Sequence, residues 1–194
     1  MFTAMLVYMI VMDITPGPNN LTMLYLGSRY GLKSTRRFLT ASVICFFLKM
    51  VLCGALNQAL AEFIPQIMNV LKWLGAAYML YLAVVMAKSG WSDDTGLTGQ
   101  QRESTYRSGV LLQLLNVKSW IAAVTLFAVY VIPYPEMKVS VLGASALNTL
   151  LMLISSLIWG AFGSAMKNLI SRYRKPFGIL MGLSLLYCTV TAVL

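Results

Sequence analysis

The apolar run from Ala4 to Leu26 is interrupted by Asp13-Ile14-Thr15-Pro16-Gly17-Pro18-Asn19-Asn20, and this interruption constrains the fold more than any other feature. The run is otherwise long enough to cross a bilayer. Proline lacks a backbone donor, clashes with the preceding helical turn and pushes the residue before it out of the α region. In hydrocarbon, freed backbone groups and a carboxylate are tolerated only where protein or a water-filled cavity surrounds them. The stretch therefore predicts a transmembrane helix broken at Pro16-Gly17-Pro18, and such breaks mark substrate sites in transporters.

The composition places this break in an integral membrane protein. Of 194 residues, 59% are hydrophobic and only 11% are charged, a balance far more apolar than that of a soluble domain. The apolar runs are long and unbroken rather than alternating, which favours helices over a barrel. The net charge of +9 would suggest a nucleic-acid partner in a soluble protein. Here the basic residues collect in short loops between apolar runs, so we expect no nucleic acid.

The length test predicts an all-α fold with six transmembrane helices. We place them near residues 4–26, 38–61, 67–87, 108–131, 139–165 and 175–194. Most Lys and Arg residues fall in or beside the loops 27–37, 88–107 and 166–174, whereas the two intervening loops offer only Lys72 and Lys138. Because basic loops stay in the cytoplasm, both termini are expected outside.

A polar segment divides the chain into two halves of three spans. We predict a first repeat at 1–88, a flexible cytoplasmic linker at 89–107 and a second repeat at 108–194. With three spans in each half, the second half crosses the membrane in the opposite sense, so the halves would form an inverted repeat. The polar cluster from Gln113 to Lys118 lies where the second half should match the first break. It contains no proline, so we expect a continuous helix there.

Three charged residues are predicted at one depth. At about 1.5 Å of rise per residue, Asp13, Lys49 and Lys118 each lie roughly 14–16 Å from a membrane face, close to the midplane. One acid and two bases would leave a net positive site suited to a carboxylate. The alternatives are a structural ion pair between helices and, for the first break, a proline kink needed only for packing. Intramembrane ionisable residues are functional by default, which favours the site.

Three stretches resemble the LysE/RhtB family of amino-acid exporters. They are Thr15-Pro16-Gly17-Pro18-Asn19, Lys72 to Leu82, and Leu112 to Lys118. The resemblance covers essentially the whole chain. Many family members carry proline where this chain has Val117, and Asn116-Val117-Lys118 looks like the subgroup of cysteine and O-acetylserine exporters. Asp13 is not part of the family pattern.

The resemblance implies export of small amino acids or their derivatives across the bacterial inner membrane, driven by the proton motive force. We expect the helix dipole after Pro18, with Lys118 or Lys49, to hold the substrate carboxylate. Asp13 would meet the substrate ammonium or carry the coupling proton. The predicted substrate-binding residues are Thr15, Pro16, Gly17, Pro18, Asn19, Asn20, Asn116, Lys118 and Lys49.

Two other function classes are alternatives to an amino-acid exporter. A metal exporter would need ligands, but the sequence has no histidine, no Cys-x-x-Cys and one intramembrane acid, so we expect no metal and no cofactor. An integral membrane enzyme or assembly subunit would have only Ser155, Ser156, Asp13 and Lys49 as material for chemistry. The expected partners are an amino acid and membrane lipid, and a homo-oligomer stays open.

Overall fold

The computed structural model describes residues 1–89 and 99–193, and the regular elements of this part of the chain are all helical. The helices are α1 (Phe2–Ile14), α2 (Pro18–Tyr30), α3 (Arg36–Ala55), α4 (Asn57–Ser89), α5 (Gly99–Leu115), α6 (Val117–Thr125), α7 (Val141–Ala165), α8 (Lys167–Arg172) and α9 (Arg174–Val193). A π-helical turn, Leu126–Val131, continues α6. Short 3-10 turns, Leu32–Thr35 and Pro135–Met137, precede α3 and α7. The all-α prediction is thus confirmed for the described residues.

Several of these helices suit a membrane. Leu32–Ala55 and Val141–Ala165 are each long and apolar enough to cross one, and Tyr106–Leu115 with Val117–Val131 passes the same test as a single span bent by 56°. Large apolar side chains such as Leu48 and Phe162 lie exposed on the outside of the bundle. Soluble proteins rarely expose so much apolar surface. The protein is therefore a helical membrane protein, and the number of six spans stays a prediction.

The first predicted break is confirmed. Helix α1 ends at Ile14, and Thr15 takes extended angles (φ −62°, ψ 145°), as expected for a residue before proline. Gly17 is also extended, and Pro18 is the first residue of α2. Proline suits that position because the first N–H of a helix has no acceptor within the helix.

The prediction of a continuous helix around Asn116 is wrong. Helix α5 ends at Leu115, Asn116 takes extended angles (φ −80°, ψ 91°) and α6 begins at Val117. No proline is needed because other groups satisfy the interrupted backbone. The Asn116 carbonyl accepts from the N–H groups of Ser119 (3.1 Å) and Trp120 (3.3 Å), and the Trp120 indole donates to the freed carbonyl of Leu114 at 2.7 Å.

Two other boundaries differ from the prediction. Residues 90–98 of the predicted linker 89–107 lie outside the described residues, and from Gly99 onward the segment belongs to α5. The boundary expected between residues 61 and 67 lies earlier, at Leu56, where α3 gives way to α4. Gly54 and Asn57 flank this point, and both are weak helix formers.

The packing pairs helices that are distant in the chain. Helix α2 packs chiefly against α7, α5 against α3, and α4 against α9. The α2–α7 contact is made at the backbone, since a Cβ added at Gly27 would overlap the Gly160 carbonyl and one at Gly163 would overlap the Leu24 carbonyl. Small residues allow this close approach between membrane helices.

The buried apolar residues form two clusters, with the broken segments between them. One cluster joins α1 and α6 to parts of α3 and α7, with Met9, Met50 and Phe127 among its members. The other joins α2 and α5 to α4, α9 and the first turn of α3, with Phe38 and Leu185 among its members. Each cluster thus takes one arm of each broken helix. The two breaks lie in a polar layer between two apolar layers.

Candidate functional site

At the first break, side chains from other segments take over the carbonyls that α1 leaves free. The Asp13 carbonyl accepts from Asn20 Nδ2 (2.7 Å) and Ser155 Oγ (2.8 Å). The Ile14 carbonyl accepts from Trp159 Nε1 at 3.2 Å. Ser155 and Trp159 belong to α7, so this helix both packs on α2 and holds the end of α1 in place. The break is thereby a built feature with most of its polar groups satisfied.

Lys118 connects the two breaks. It is the second residue of α6, and its ammonium donates to Thr15 Oγ1 (2.7 Å) and to the Thr15 carbonyl (3.3 Å). Gly17 makes room for it, because a Cβ at Gly17 would lie 3.3 Å from Lys118 Nζ. The cation therefore lies directly against the unwound segment between α1 and α2.

Lys49 occupies a different kind of position. Its ammonium donates to the Gln113 carbonyl (3.1 Å), to Gln113 Oε1 (3.2 Å) and to Ser119 Oγ. The rings of Phe46 and Trp120 lie 5.2 and 5.5 Å from Nζ. Only 4% of the residue is exposed. With three donors and three acceptors, the lysine is saturated by protein groups, and it braces the end of α5 at the second break.

A chain of buried amides joins the broken segments to α7. Gln113 Nε2 donates to Asn19 Oδ1 at 3.3 Å, and Asn19 Nδ2 donates to Ser156 Oγ at 2.9 Å. Asn20 Nδ2 is likewise committed, since it donates to backbone carbonyls of the first break. The two asparagines therefore fix the geometry of the site through their side-chain NH₂ groups.

These groups surround a central cavity of about 40 Å³. It is lined by Met12, Asp13, Thr15, Gly17, Asn19, Asn20, Phe46, Gln113, Asn116, Lys118, Ser119, Ala122 and Met152. In the described part of the chain, Asp13 Oδ2 and Asn116 Oδ1 are buried without a hydrogen-bond partner, and no ion pair joins Asp13 to Lys118. Buried acceptors normally have donors. The central cavity thus combines unsatisfied acceptors with a separate cation, which is the pattern that a zwitterion complements.

The structure brings most of the predicted site residues together. Those that line the central cavity are Asp13, Thr15, Gly17, Asn19, Asn20, Asn116 and Lys118. Pro16 and Pro18 instead line a second, lateral cavity of about 340 Å³. Lys49 lines neither cavity and lies behind Gln113 and Ser119.

Sequence reasoning did not assign four polar residues to the site. Gln113 and Ser119 line the central cavity, and Ser155 and Ser156 hold the first break from α7. A signal was present in each case. Gln113 and Ser119 stand three residues on either side of Asn116, and the two serines are a polar pair in the middle of an apolar run.

Known proteins resemble this chain over almost its whole length. The LysE type translocator family matches residues 10–194, a range that contains both breaks, Lys49 and Lys118. The chain belongs to the LysE family of translocators. The cysteine/O-acetylserine efflux proteins of Escherichia coli (strain K12) and Shigella flexneri serotype 5b (strain 8401) are each 30% identical to this LysE-family chain over 190 residues, which is 98% of the chain and 96% of the relative. No solved structure matches the chain.

Family membership decides between two of the classes considered from the sequence. A LysE-family translocator is a transport protein, so the interpretation as a membrane enzyme is set aside. The resemblance found in the sequence is confirmed over nearly the full length.

Proposed function

We propose that this LysE-family protein exports small neutral amino acids, of the cysteine and O-acetylserine type, from the bacterial cytoplasm across the inner membrane. The observation that carries the proposal is the central cavity, where the buried Asp13 carboxylate and the Lys118 ammonium face the same small space without pairing. An amino acid carries the complementary charges on neighbouring atoms. The relatives described above are named for the efflux of two such molecules.

The substrate carboxylate binds Lys118 and the substrate ammonium binds Asp13. Lys118 is positioned for this because its ammonium uses two acceptors, both on Thr15, and retains one donor. The first turns of α2 and α6 add helix-dipole charge of the right sign for an anion. Asn116 Oδ1, buried without a partner in the described part, is available to accept from the ammonium. Asn19, Asn20 and Lys49 shape the site through their protein contacts rather than by binding substrate.

The central cavity must open to load. Its volume is about 40 Å³. Benzene, which is smaller than cysteine, needs a cavity of about 150 Å³. A substrate therefore enters only when the arms of the broken helices move apart, and the two breaks, each with few residues in extended conformation, are the natural hinges. This conformation then corresponds to a closed state of the site.

The transport cycle rests on two inverted three-helix repeats with six spans, residues 1–88 and 108–194, joined by a cytoplasmic segment 89–107. Support comes from the packing, since α2 of the first half pairs with α7 of the second while α5 of the second half pairs with α3 of the first. The third helices of the two halves, α4 and α9, pair with each other. Rocking of such halves around a fixed site gives alternating access. The basic loops put both termini outside.

The proton motive force drives the export, and Asp13 exchanges the substrate ammonium for a proton. No nucleotide-binding loop of Walker type occurs in the sequence, so the chain supplies no means of using ATP itself. A carboxylate that alternately binds a proton and the substrate ammonium couples proton flux to amino-acid flux at one side chain. Membrane lipid surrounds the apolar exterior, and the oligomeric state is left open.

The test is a transport assay in inverted membrane vesicles. A proton gradient is imposed across the vesicle membrane, and uptake of labelled amino acids is measured. Cells that overproduce the protein are also challenged with toxic amino acids and analogues, and the external amino acids are measured. The proposal expects gradient-dependent uptake of O-acetylserine or cysteine into inverted vesicles. Absence of movement for every amino acid in the panel would contradict it.

A further inference from the structure

The lateral cavity is a larger space that shares a wall with the central cavity. Its volume is about 340 Å³, and it lies between α4, α6 and α9 beside the first break. Gly17, Asn116, Lys118 and Met12 line both cavities. Lys118 therefore lies in the wall between the two cavities.

The lining of the lateral cavity is electropositive. Among the lining residues that the structure describes, Lys72 and Lys118 are the charged ones, and none is an aspartate or a glutamate. Lys72 has no hydrogen bond or ion pair with another group in the described part of the chain. Two ammonium groups in one partly enclosed space raise the local concentration of anions, because low-dielectric walls focus their field.

The lateral cavity also reaches the outside of the helix bundle. Tyr187 and Ile121, which line it, are 70% and 47% exposed. The cavity therefore extends from the wall of the central cavity to the surface. In the orientation proposed above, Lys72 and the end of α9 belong to the outer half of the membrane.

We propose that the lateral cavity is a second binding site for the carboxylate of the exported amino acid, with Lys72 as its anchor and Lys118 as the group that passes the carboxylate across the shared wall. This inference rests on the proposed function and adds an exit site to it. Nothing in the family match assigns a role to Lys72. The central cavity is too small to hold a substrate while closed. The larger, positively charged lateral cavity can accept the substrate when it leaves the central cavity.

Cys188 provides a probe inside this cavity, because it is one of the lining residues. The other two cysteines are replaced in a C45S/C53A variant. This variant is purified into phosphatidylcholine nanodiscs, in which reagents can reach both faces of the protein. The rates of Cys188 modification by an anionic and a cationic methanethiosulfonate are compared, each relative to a free thiol. The inference expects the anionic reagent to be favoured by about tenfold, since a neighbouring cation attracts it.

Substitution of Lys72 tests whether this residue causes the preference of Cys188 for the anionic reagent. K72Q should lower the preference for the anionic reagent by about threefold or more, whereas K72R, which keeps the charge, should retain it. K138Q removes the other basic residue expected on the same side and should leave the preference unchanged. Millimolar O-acetylserine, which has no thiol to consume the reagent, should slow Cys188 modification in the wild-type background but much less in K72Q. Equal rates for the two reagents, or a preference that K72Q does not alter, would overturn the inference.

A further experiment distinguishes the substrate carboxylate from a lipid headgroup as the occupant of the lateral cavity. If phosphatidylglycerol in the nanodisc abolishes the anionic preference while O-acetylserine gives no protection, the occupant is an anionic lipid and the inference is wrong. If export by the wild-type protein is normal but O-acetylserine gives no protection, the inference fails alone. If no amino acid is exported, the proposed function fails, and the assignment of an amino acid to this cavity fails with it.

Discussion

Two lysines that look equivalent in the sequence differ in what their ammonium groups contact. Lys49 donates three hydrogen bonds to protein acceptors and lies against two aromatic rings. Among the described residues, the Lys118 ammonium donates hydrogen bonds to Thr15 alone, and the residue lines both cavities. The first arrangement stabilises a fold, and the second leaves a charge available for a ligand. Spacing along the chain could place both residues near the membrane midplane, but it could not distinguish these roles.

Replacing Lys118 should impair substrate binding with little effect on folding. A hydrogen bond to a charged group contributes about 1.5–3 kcal/mol, so K118Q should raise the apparent KM for export by roughly tenfold to a hundredfold. Initial rates in inverted vesicles over a range of substrate concentrations measure this, with K138Q as the control. An unchanged KM would remove Lys118 from the site.

Replacing Asp13 should uncouple export from the proton gradient. The D13N side chain is close in shape but carries no charge, so it can neither pair with the substrate ammonium nor release a proton. We expect the export rate of D13N to fall and to lose its response to an imposed pH gradient. The assay compares export with and without the gradient at constant membrane potential. If the response persists at its wild-type size, Asp13 lies outside the proton pathway.

At the scale of the helix, the two breaks are stabilised in the same manner. In each, a tryptophan indole and a lysine ammonium donate to carbonyls of the interrupted helix: Trp159 and Lys118 at the first break, Trp120 and Lys49 at the second. The first break could be predicted because prolines encode it locally. The second could not, since Lys49 reaches it from 64 residues away in the sequence. Local rules describe a helix end poorly when its carbonyls are satisfied by tertiary contacts.

Lys49 should therefore act on stability before it acts on transport. In K49M the Gln113 carbonyl and amide oxygen lose a buried donor, and each unsatisfied group costs about 1–3 kcal/mol. We expect K49M to unfold at clearly lower temperature in detergent than the wild type. K118M should unfold close to the wild type, because the Thr15 carbonyl keeps the Asn20 side chain as a second donor at 3.1 Å. A K49M protein as stable as the wild type would contradict the bracing role.

The α2–α7 contact should be equally sensitive to one methyl group. A Cβ at Gly163 would press on the Leu24 carbonyl and lie 3.0 Å from the Ser28 nitrogen, so G163A must force the helices apart. Overpacking of this kind costs about 1–3 kcal/mol. G143A is the matched control, since its Cβ would meet only the Ser140 hydroxyl. Thermal unfolding of both variants measures the difference, and equal stability would show that the two helices do not pack this closely.

At the scale of the whole molecule, the central cavity lies between the two apolar clusters. Length and composition predicted a helical membrane protein, because these properties follow from the bilayer itself. The pairing of α2 with α7 and of α5 with α3 could not be predicted. It depends on glycines such as Gly27 and Gly163, whose partners are far away in sequence.

The topology makes a further prediction. The proposed topology of six spans with basic loops inside would put both termini on the outer face, so a cysteine added at either end should react with a membrane-impermeant thiol reagent in intact cells. A cysteine at Ser34, between the basic residues Lys33 and Arg36, should react only after the cells are opened. The comparison is made in a background without the three native cysteines. Termini on opposite faces would exclude an even number of spans.

The central claim is that Lys118 binds the carboxylate of an amino acid in the cavity between the two breaks. The most direct test compares O-acetylserine with its amide, which keeps the ammonium but lacks the carboxylate, as competitors of export in the wild type and in K118Q. The claim predicts that the wild type prefers the acid by roughly tenfold or more and that K118Q loses most of this preference, because the discriminating charge is gone. An equal preference for the acid in both proteins would contradict it.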